Sequence, residues 1–260
     1  MEVVIAPGAE LAELAADAVA ELLDRSPDAV LGLATGSSPL GIYDALVERV
    51  ASGRTSFAAA RGFTLDEYVG LPAGHSCSYD AVIRAELVDR VDFSAGAVRG
   101  PDGTAADLLA ECARYEAAIA DAGGVDLQIL GIGTDGHIAF NEPGSSLTSR
   151  TRVKTLTEQT RRDNARFFDG GLAEVPRHCL TQGLGTIMEA RHVVLIARGE
   201  AKAEAVRQLV EGPISARWPA TVLQLHPHAT VLVDEDAASG LELASYFRWT
   251  YDTKPAWQRL

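Results

Sequence analysis

Residues 125–143 read VDLQILGIGTDGHIAFNEP, and the choice between two kinds of α/β fold turns on them. Val125–Ile132 is an apolar run of the length of a buried strand. The G-I-G-T-D-G that follows its start at Gly131 has the glycine spacing of a dinucleotide-binding turn. Such a turn must wind into a helix at its last glycine, with an acidic residue about 20 positions further on. Here H-I-A-F-N-E follows Gly136 and Pro143 comes next, so no helix of useful length fits. What remains is a strand leading into a loop whose glycines let the backbone approach a small ligand. That loop carries Asp135, His137 and Glu142. An acid two residues before a histidine can accept from the ring N–H, fix the tautomer and raise the ring's basicity. With two carboxylates close by, His137 reads as a catalytic histidine.

On either side, short apolar runs alternate with helical patterns. Val3–Ala6 reads as a strand, followed by Leu11, Leu14, Ala18 and Leu22 at helical spacing. Ala29–Ala34 is a second strand, and Leu40, Tyr43, Leu46, Val47 and Val50 mark the next helix. Gly62–Leu65 is a strand, Ala105–Ala122 a helix and His192–Ala197 a strand, with a helix over Glu200–Leu209. Thr221–Leu225 and Ala229–Val233 read as strands and Glu235–Tyr246 as the final helix. This rhythm predicts a mostly parallel sheet covered on both faces, with the ligand outside the carboxyl ends of its strands. With no repeat or linker, residues 1–260 read as a single α/β domain. The stretch 143–185 is rich in Ser, Thr and Arg and poor in regular pattern. A loop of that length in a compact domain is a candidate active-site lid, centred on 150–182.

A net charge of −13 excludes a general nucleic-acid surface and leaves any anionic substrate to a few local cations and backbone N–H groups. Cys77, Cys112 and Cys179 are odd in number and lack metal-type spacing, as expected of buried or idle thiols in a reducing compartment. The N-terminus has no basic segment before its apolar stretch, and no apolar run reaches the ~18 residues of a membrane span. A soluble, cytoplasmic protein is expected.

Three further strand ends carry chemistry. In Thr35-Gly36-Ser37-Ser38-Pro39, Ser38 suits a helix N-cap and Pro39 the first helical position, which suits either a phosphate site or an ordinary capped helix. Asp66 and Glu67 follow the strand FTL. Neighbours on a strand face opposite ways, so one of the two should enter the pocket as a candidate base. Arg166 in the lid and Lys202 after the strand HVVLIA could together hold a phosphate dianion. His226 and His228 invite a metal reading, but no third ligand is identifiable and none is expected.

Together LGLATGSSP, FTLDEYVGL, GIGTDGHIAFNEP, SRTRVKTLT, ARFFDG, LTQGLGTIMEA and LQLHPHA resemble the glucosamine-6-phosphate deaminase family (the glucosamine/galactosamine-6-phosphate isomerases), in order and from about residue 29 to the last helix. The TGSSP turn alone is shared with the related 6-phosphogluconolactonases; DGHIAFNEPGSSL followed by SRTRVKTLT is specific. The resemblance implies a three-layer α/β/α sandwich of the ribose-5-phosphate isomerase kind. It also implies conversion of glucosamine 6-phosphate and water to fructose 6-phosphate and ammonia, in amino-sugar catabolism, with no cofactor or metal. Carried over position by position, Asp66 matches the enolisation base, His137 the ring-opening catalyst, and Asp135 and Glu142 its supporting carboxylates. Thr35, Gly36, Ser37 and Ser38 match the phosphate turn, with Ser37 where the family often has glycine, and Arg166 and Lys202 match its phosphate-binding cations. Ser145, Arg152, Lys154 and Tyr246 match a second site, between subunits, for the effector N-acetylglucosamine 6-phosphate. His192 stands where regulated members carry an acid; beside Arg152 and Lys154 a charged His192 would add repulsion and weaken the effector's coupling. The aromatic tail Phe247–Leu260, with Trp249, Tyr251 and Trp257, favours a homo-oligomer; longer members of the family resemble hexamers and shorter ones work as monomers or dimers, and the hexamer is favoured here. Preference between glucosamine and galactosamine 6-phosphate is not written in any one residue.

Overall fold

In a computed structural model of the protein, which describes residues 1–255, 257, 258 and 260, two sheets share the chain. The large one contains β1 (Glu2–Ile5), β2 (Val30–Leu33), β3 (Arg61–Thr64), β5 (Val98–Arg99), β6 (Leu127–Leu130), β9 (His192–Ala197) and β10 (Ala229–Val233). Its order is β1-β10-β9-β6-β2-β3-β5, and each neighbouring pair is parallel. Helices α1 (Gly8–Arg25), α2 (Leu40–Ala51), α3 (Tyr79–Glu86), α4 (Leu108–Asp121), α6 (Leu184–Met188) and α7 (Ala203–Glu211) lie between the strands along the chain, and α8 (Ala244–Asp252) follows the last of them. β9 and β10 are buried at every position, which is why their sequences, HVVLIA and ATVLV, are almost unbroken apolar runs.

The small sheet occupies part of the stretch expected to be irregular. β4 (Asp66–Tyr68) directly continues β3 along the chain, and β7 (Arg152–Thr155) and β8 (His178–Thr181) complete the order β4-β8-β7. Both pairings are antiparallel, with Asp66 opposite Thr181 and Arg152 opposite the same threonine. Between β7 and β8 run α5 (Glu158–Asn164) and two short 3-10 turns. Thr157 caps α5 by accepting from the Thr160 N–H. A separate small core of Tyr68, Phe140, Leu156, Phe168, Val175 and Cys179 lies beneath this sheet. Cys112 and Cys179 are buried free thiols, and half-buried Cys77 donates to the Phe167 carbonyl at 3.0 Å.

Three local expectations are corrected. Thr221–Leu225 is the end of a 3-10 helix over Pro219–Leu225, not a strand. Pro219 opens it, the Thr221 hydroxyl donates back to the Trp218 and Ser215 carbonyls, and the Ala220 N–H is drawn to the Gly136 carbonyl. The final helix starts at Ala244 rather than Glu235. The Asp234 carboxylate first holds a turn by accepting from Ala237, and the Glu211 carboxylate takes the Glu242 and Leu243 N–H groups just ahead of α8. At the start of α2, Pro39 is the half-helical residue and no side chain caps the helix, so Ser38 is not its N-cap. Of the aromatic tail, Ala256 and Arg259 lie outside the described residues.

Candidate active site

From β2 the chain moves to β3 and β5 on one side; from β6 it moves to β9 and β10 on the other. The order therefore reverses between β2 and β6, and in a parallel sheet a crevice opens outside the strand ends at such a point. A cavity of about 180 Å³ lies there, lined by Thr35–Ser38 after β2 and by residues 131–134 after β6. Asp66, His137, Arg166 and Lys202 line it too, so candidate residues more than 100 positions apart in the chain meet at one place.

The glycines of the 131–136 loop have separate duties. A Cβ on Gly133 would stand 2.2 Å from the His137 ring, so this glycine gives the imidazole its seat. Gly136 has φ +81° and lies under Trp218, a left-handed position closed to most side chains. The turn is tied by Gly133 N–H to the His137 carbonyl (2.9 Å) and Gly136 N–H to the Gly133 carbonyl (3.0 Å). Ala139, in the cavity wall, also has positive φ, 50°, and such outliers concentrate at functional sites.

His137 Nδ1 is 2.7 Å from Asp135 Oδ1 and 3.7 Å from Glu142 Oε2. The shorter contact lies off the line of a well-directed hydrogen bond, so Nδ1 and Glu142 Oε2 are both buried without an aligned partner. Burial would raise Asp135, but the close His137 ring, its charge and the His137 backbone N–H, which donates to Oδ1 at 3.2 Å, outweigh it and hold the carboxyl at about 2. Asp135 is thus an anion at any physiological pH. Glu142 has a second contact: its Oε1 accepts from the Thr157 N–H at the cap of α5. These three residues could reach one ion, their ligand atoms lying within 4.8 Å of one another. Two ligands on one tetrahedral zinc stand ~3.3 Å apart, wider than the Asp135–His137 contact, so the group fits a proton relay better than a metal.

Asp66 and Glu67 divide as strand neighbours should. Asp66 lines the cavity, buried, and desolvation followed by the charge of Glu67 raises its carboxyl well above the ordinary range, with the Phe140 N–H opposing. Glu67 points away and accepts from the Tyr68, Tyr79 and Asp80 N–H groups at 2.8–3.0 Å, anchoring the start of α3. Tyr79 in turn lines the cavity, stacked on Phe140 at 5.6 Å between ring centres. Asn164, also in the wall, donates to the Tyr68 hydroxyl. Tyr79, Phe140, Asp163 and Asn164 escape a reading of the sequence because no motif marks an aromatic wall or a lid helix. The cap Thr157-x-x-Thr160 is the one signal that α5 exists.

Lys202 is pushed below the ordinary lysine range by burial, with Asp163 and Asp135 opposing and Arg166 assisting. The residues expected at a second site stand on three parts of the chain: the loop after Glu142, β7 and α8. Ser145 is buried and donates to the Glu142 carbonyl. Arg152 Nη1 donates to Asn141 Oδ1 at 2.9 Å, while its Nη2 is buried without a partner. Lys154 lies on β7 and Tyr246 on α8, which packs against β1 at the far edge of the large sheet. His192 has neighbours that the sequence does not announce. Its ring stacks on His228 at 3.6 Å and its Nε2 meets the Thr230 hydroxyl at 2.9 Å. Burial and then His228 depress it to about 3, so it is neutral and adds no repulsion to Arg152 or Lys154. His226 Nε2 bonds the Ala190 carbonyl at 2.8 Å and its Nδ1 accepts from His228 N–H, a structural arrangement.

Residues 6–232 match the family model of glucosamine-6-phosphate isomerases/6-phosphogluconolactonase. A glucosamine-6-phosphate deaminase of Mycolicibacterium smegmatis is 69% identical over 259 residues, 99% of each chain. The structure of a monomeric glucosamine-6-phosphate deaminase superposes with a TM-score of 0.90 at 44% identity, covering 92% of this chain and 100% of the other. A 6-phosphogluconolactonase from Trypanosoma cruzi superposes with a TM-score of 0.73 at 22% identity, covering 93% and 97%, a likeness of fold.

Proposed function

The chain belongs to the family of glucosamine-6-phosphate isomerases and 6-phosphogluconolactonases, and from that premise we infer the reaction of its deaminase branch. It converts glucosamine 6-phosphate and water to fructose 6-phosphate and ammonia. The observation that carries the reading is that a buried carboxyl with a raised pKa, Asp66, and a carboxylate-backed histidine, His137, line one cavity with two cations.

We propose the following roles. Thr35–Ser38, Arg166 and Lys202 hold the phosphate, so that binding energy remote from the chemistry fixes the sugar's first two carbons. His137, oriented by Asp135 and Glu142, moves a proton between the anomeric hydroxyl and the ring oxygen to open the ring. Asp66, as carboxylate, takes the C2 proton and returns a proton to C1. The double bond so moved leaves an imine at C2; water adds to it and ammonia departs. The aldehyde carbon is reduced as C2 is oxidised, so electrons balance within the substrate. Residues 150–182 serve as the lid over the site in a single catalytic domain.

We also propose a homo-oligomer, hexamer favoured, in which N-acetylglucosamine 6-phosphate binds Ser145, Arg152 and Lys154 of one copy, with Tyr246 supplied by another. The unpartnered Arg152 Nη2 and the exposed Leu243, Tyr246 and Trp249 face of α8 support this. Among the described residues no helix is long and apolar enough to cross a membrane, in keeping with a cytoplasmic site of action. The functional reading is tested by ammonia release coupled to fructose 6-phosphate formation from purified protein. Lactone hydrolysis without ammonia release would overturn it. Light scattering with and without the effector tests the assembly, and a monomer under both conditions contradicts it.

A further inference from the structure

The phosphate-binding role assigned above to Thr35–Ser38 raises the question of what shapes that loop. Among the described residues, none of Thr35, Gly36, Ser37 and Ser38 forms a protein hydrogen bond, by backbone or side chain. Gly36 sits at φ +96° with open space around it, and α2 beyond has no side-chain cap. The N–H groups and hydroxyls are thus free for a ligand, but a loop without internal bonds is held only at its ends. Pro39, with its ring-fixed φ, restrains the far end.

At the near end stands Ala34, buried, where β2 gives way to the loop. Its N–H donates to the Tyr43 hydroxyl at 3.1 Å, and that hydroxyl donates to the Ala34 carbonyl at 2.6 Å. One oxygen satisfies both backbone groups of one residue. Tyr43 lies one turn into α2, the helix that the loop enters, and is fully buried. Burial pushes its phenol further from ionisation, keeping it a donor. Strand end and helix are thereby tied across the loop they flank.

We propose that Tyr43 is a positioning residue for substrate phosphate: its hydroxyl clamps Ala34 and so holds Thr35–Ser38 in the shape that receives the anion. Tyr43 does not line the cavity, so it acts through the loop alone. Without the clamp the receptive shape becomes one of several, and apparent affinity falls in proportion to its population.

The test compares Tyr43→Phe with wild type. Loss of the hydroxyl should raise KM for glucosamine 6-phosphate about five- to twentyfold while kcat stays within about threefold. The inhibition constant of inorganic phosphate should rise in parallel. A hydroxyl that served the fold alone would lower thermal stability and apparent kcat with KM and phosphate inhibition unchanged, and that outcome overturns the proposal. Phosphate affinity measured by calorimetry decides the clamp even if wild type proves inactive on the amino sugar, an outcome that would instead remove the functional reading. Should the variant not fold, native-state amide exchange of wild type serves. The clamp requires Ala34 N–H to exchange as slowly as the amides of β2, and exchange at the rate of Gly36 contradicts it.

Discussion

All six positions of β9 are buried, whereas β7 is half-exposed at three positions and exposed at its fourth. β9 lies inside the large sheet and β7 is an edge of the small one, whose β4 and β8 are largely buried, and the two sheets meet at the cavity. The large sheet shares one continuous core with α1, α2, α4 and α7, and its strand ends hold the 35–38 and 131–137 loops. The small sheet rests on a core of six buried residues and carries α5, Arg166 and the turns up to β8. Asp66 stands at the junction of the two regions, since the chain leaves the large sheet at Thr64, the end of β3, and enters the small one at Asp66, two residues later. His137 thus stands on the larger, more deeply buried frame and Arg166 on the smaller one, where fewer buried contacts oppose local opening.

The comparison can be broken most forcefully at His137. His137→Gln should slow turnover of the cyclic substrate by about 10²–10⁴, the worth of a general acid–base group. An acyclic analogue, already open, should lose less than about tenfold. Equal losses on both, in initial-rate assays, would remove ring opening as its task. Next comes the frame. Leu195→Ala in the middle of fully buried β9 should cost about 2–5 kcal/mol in urea unfolding and leave KM unchanged. A raised KM would mean that the large sheet is not the rigid partner.

A smaller effect is expected in the small region. Arg161 on α5 binds the carbonyls of Leu172 and Val175 at 2.8–3.2 Å. Arg161→Ala should cost no more than about 1–2 kcal/mol of stability, yet raise KM severalfold by loosening the cover. Unchanged KM would argue that residues 150–182 do not close over substrate. The smallest effect is in pH. A lysine whose charged form burial disfavours gives up its proton at lower pH than a free one, so the grip of Lys202 on phosphate weakens as pH rises. The alkaline limb of kcat/KM should fall below the ordinary lysine range, and Lys202→Arg should move it upward. A limb that does not respond belongs to another group.

The large sheet was easier to read than the small one because its signal is local. β9 and β10 coincide with the apolar runs 192–197 and 229–233, and strands buried on both faces must be apolar throughout. The strands β4, β7 and β8 are DEY, RVKT and HCLT, short and mostly polar, and they exist through pairing between residues some 115 positions apart for β4 with β8 and some 25 apart for β7 with β8. No single window contains that information. Residues on loops after apolar strands, Asp135, His137 and Ser38 among them, stood out. The walls formed by Tyr79, Phe140 and Asn164 did not, because an aromatic in a polar stretch has the same appearance whether it packs a core or faces a ligand. The neutral state of His192 is hidden for a similar reason: its partner, His228, is brought to it by strand register.

Asp66 joins the two regions, and its role as the C2 base is the central claim. Burial raises its pKa, so the folded state keeps a proton that the unfolded chain releases, and stability is lost as pH rises through the raised value. Asp66→Asn should remove that loss and melt higher than wild type at pH 7, while the two proteins converge near pH 3. Its chemistry should fail in the opposite sense. With glucosamine 6-phosphate bound in D₂O, NMR should show C2–H exchange in wild type and none above background in Asp66→Asn, with substrate affinity nearly unchanged. C2 exchange at the wild-type rate in the variant would contradict the account.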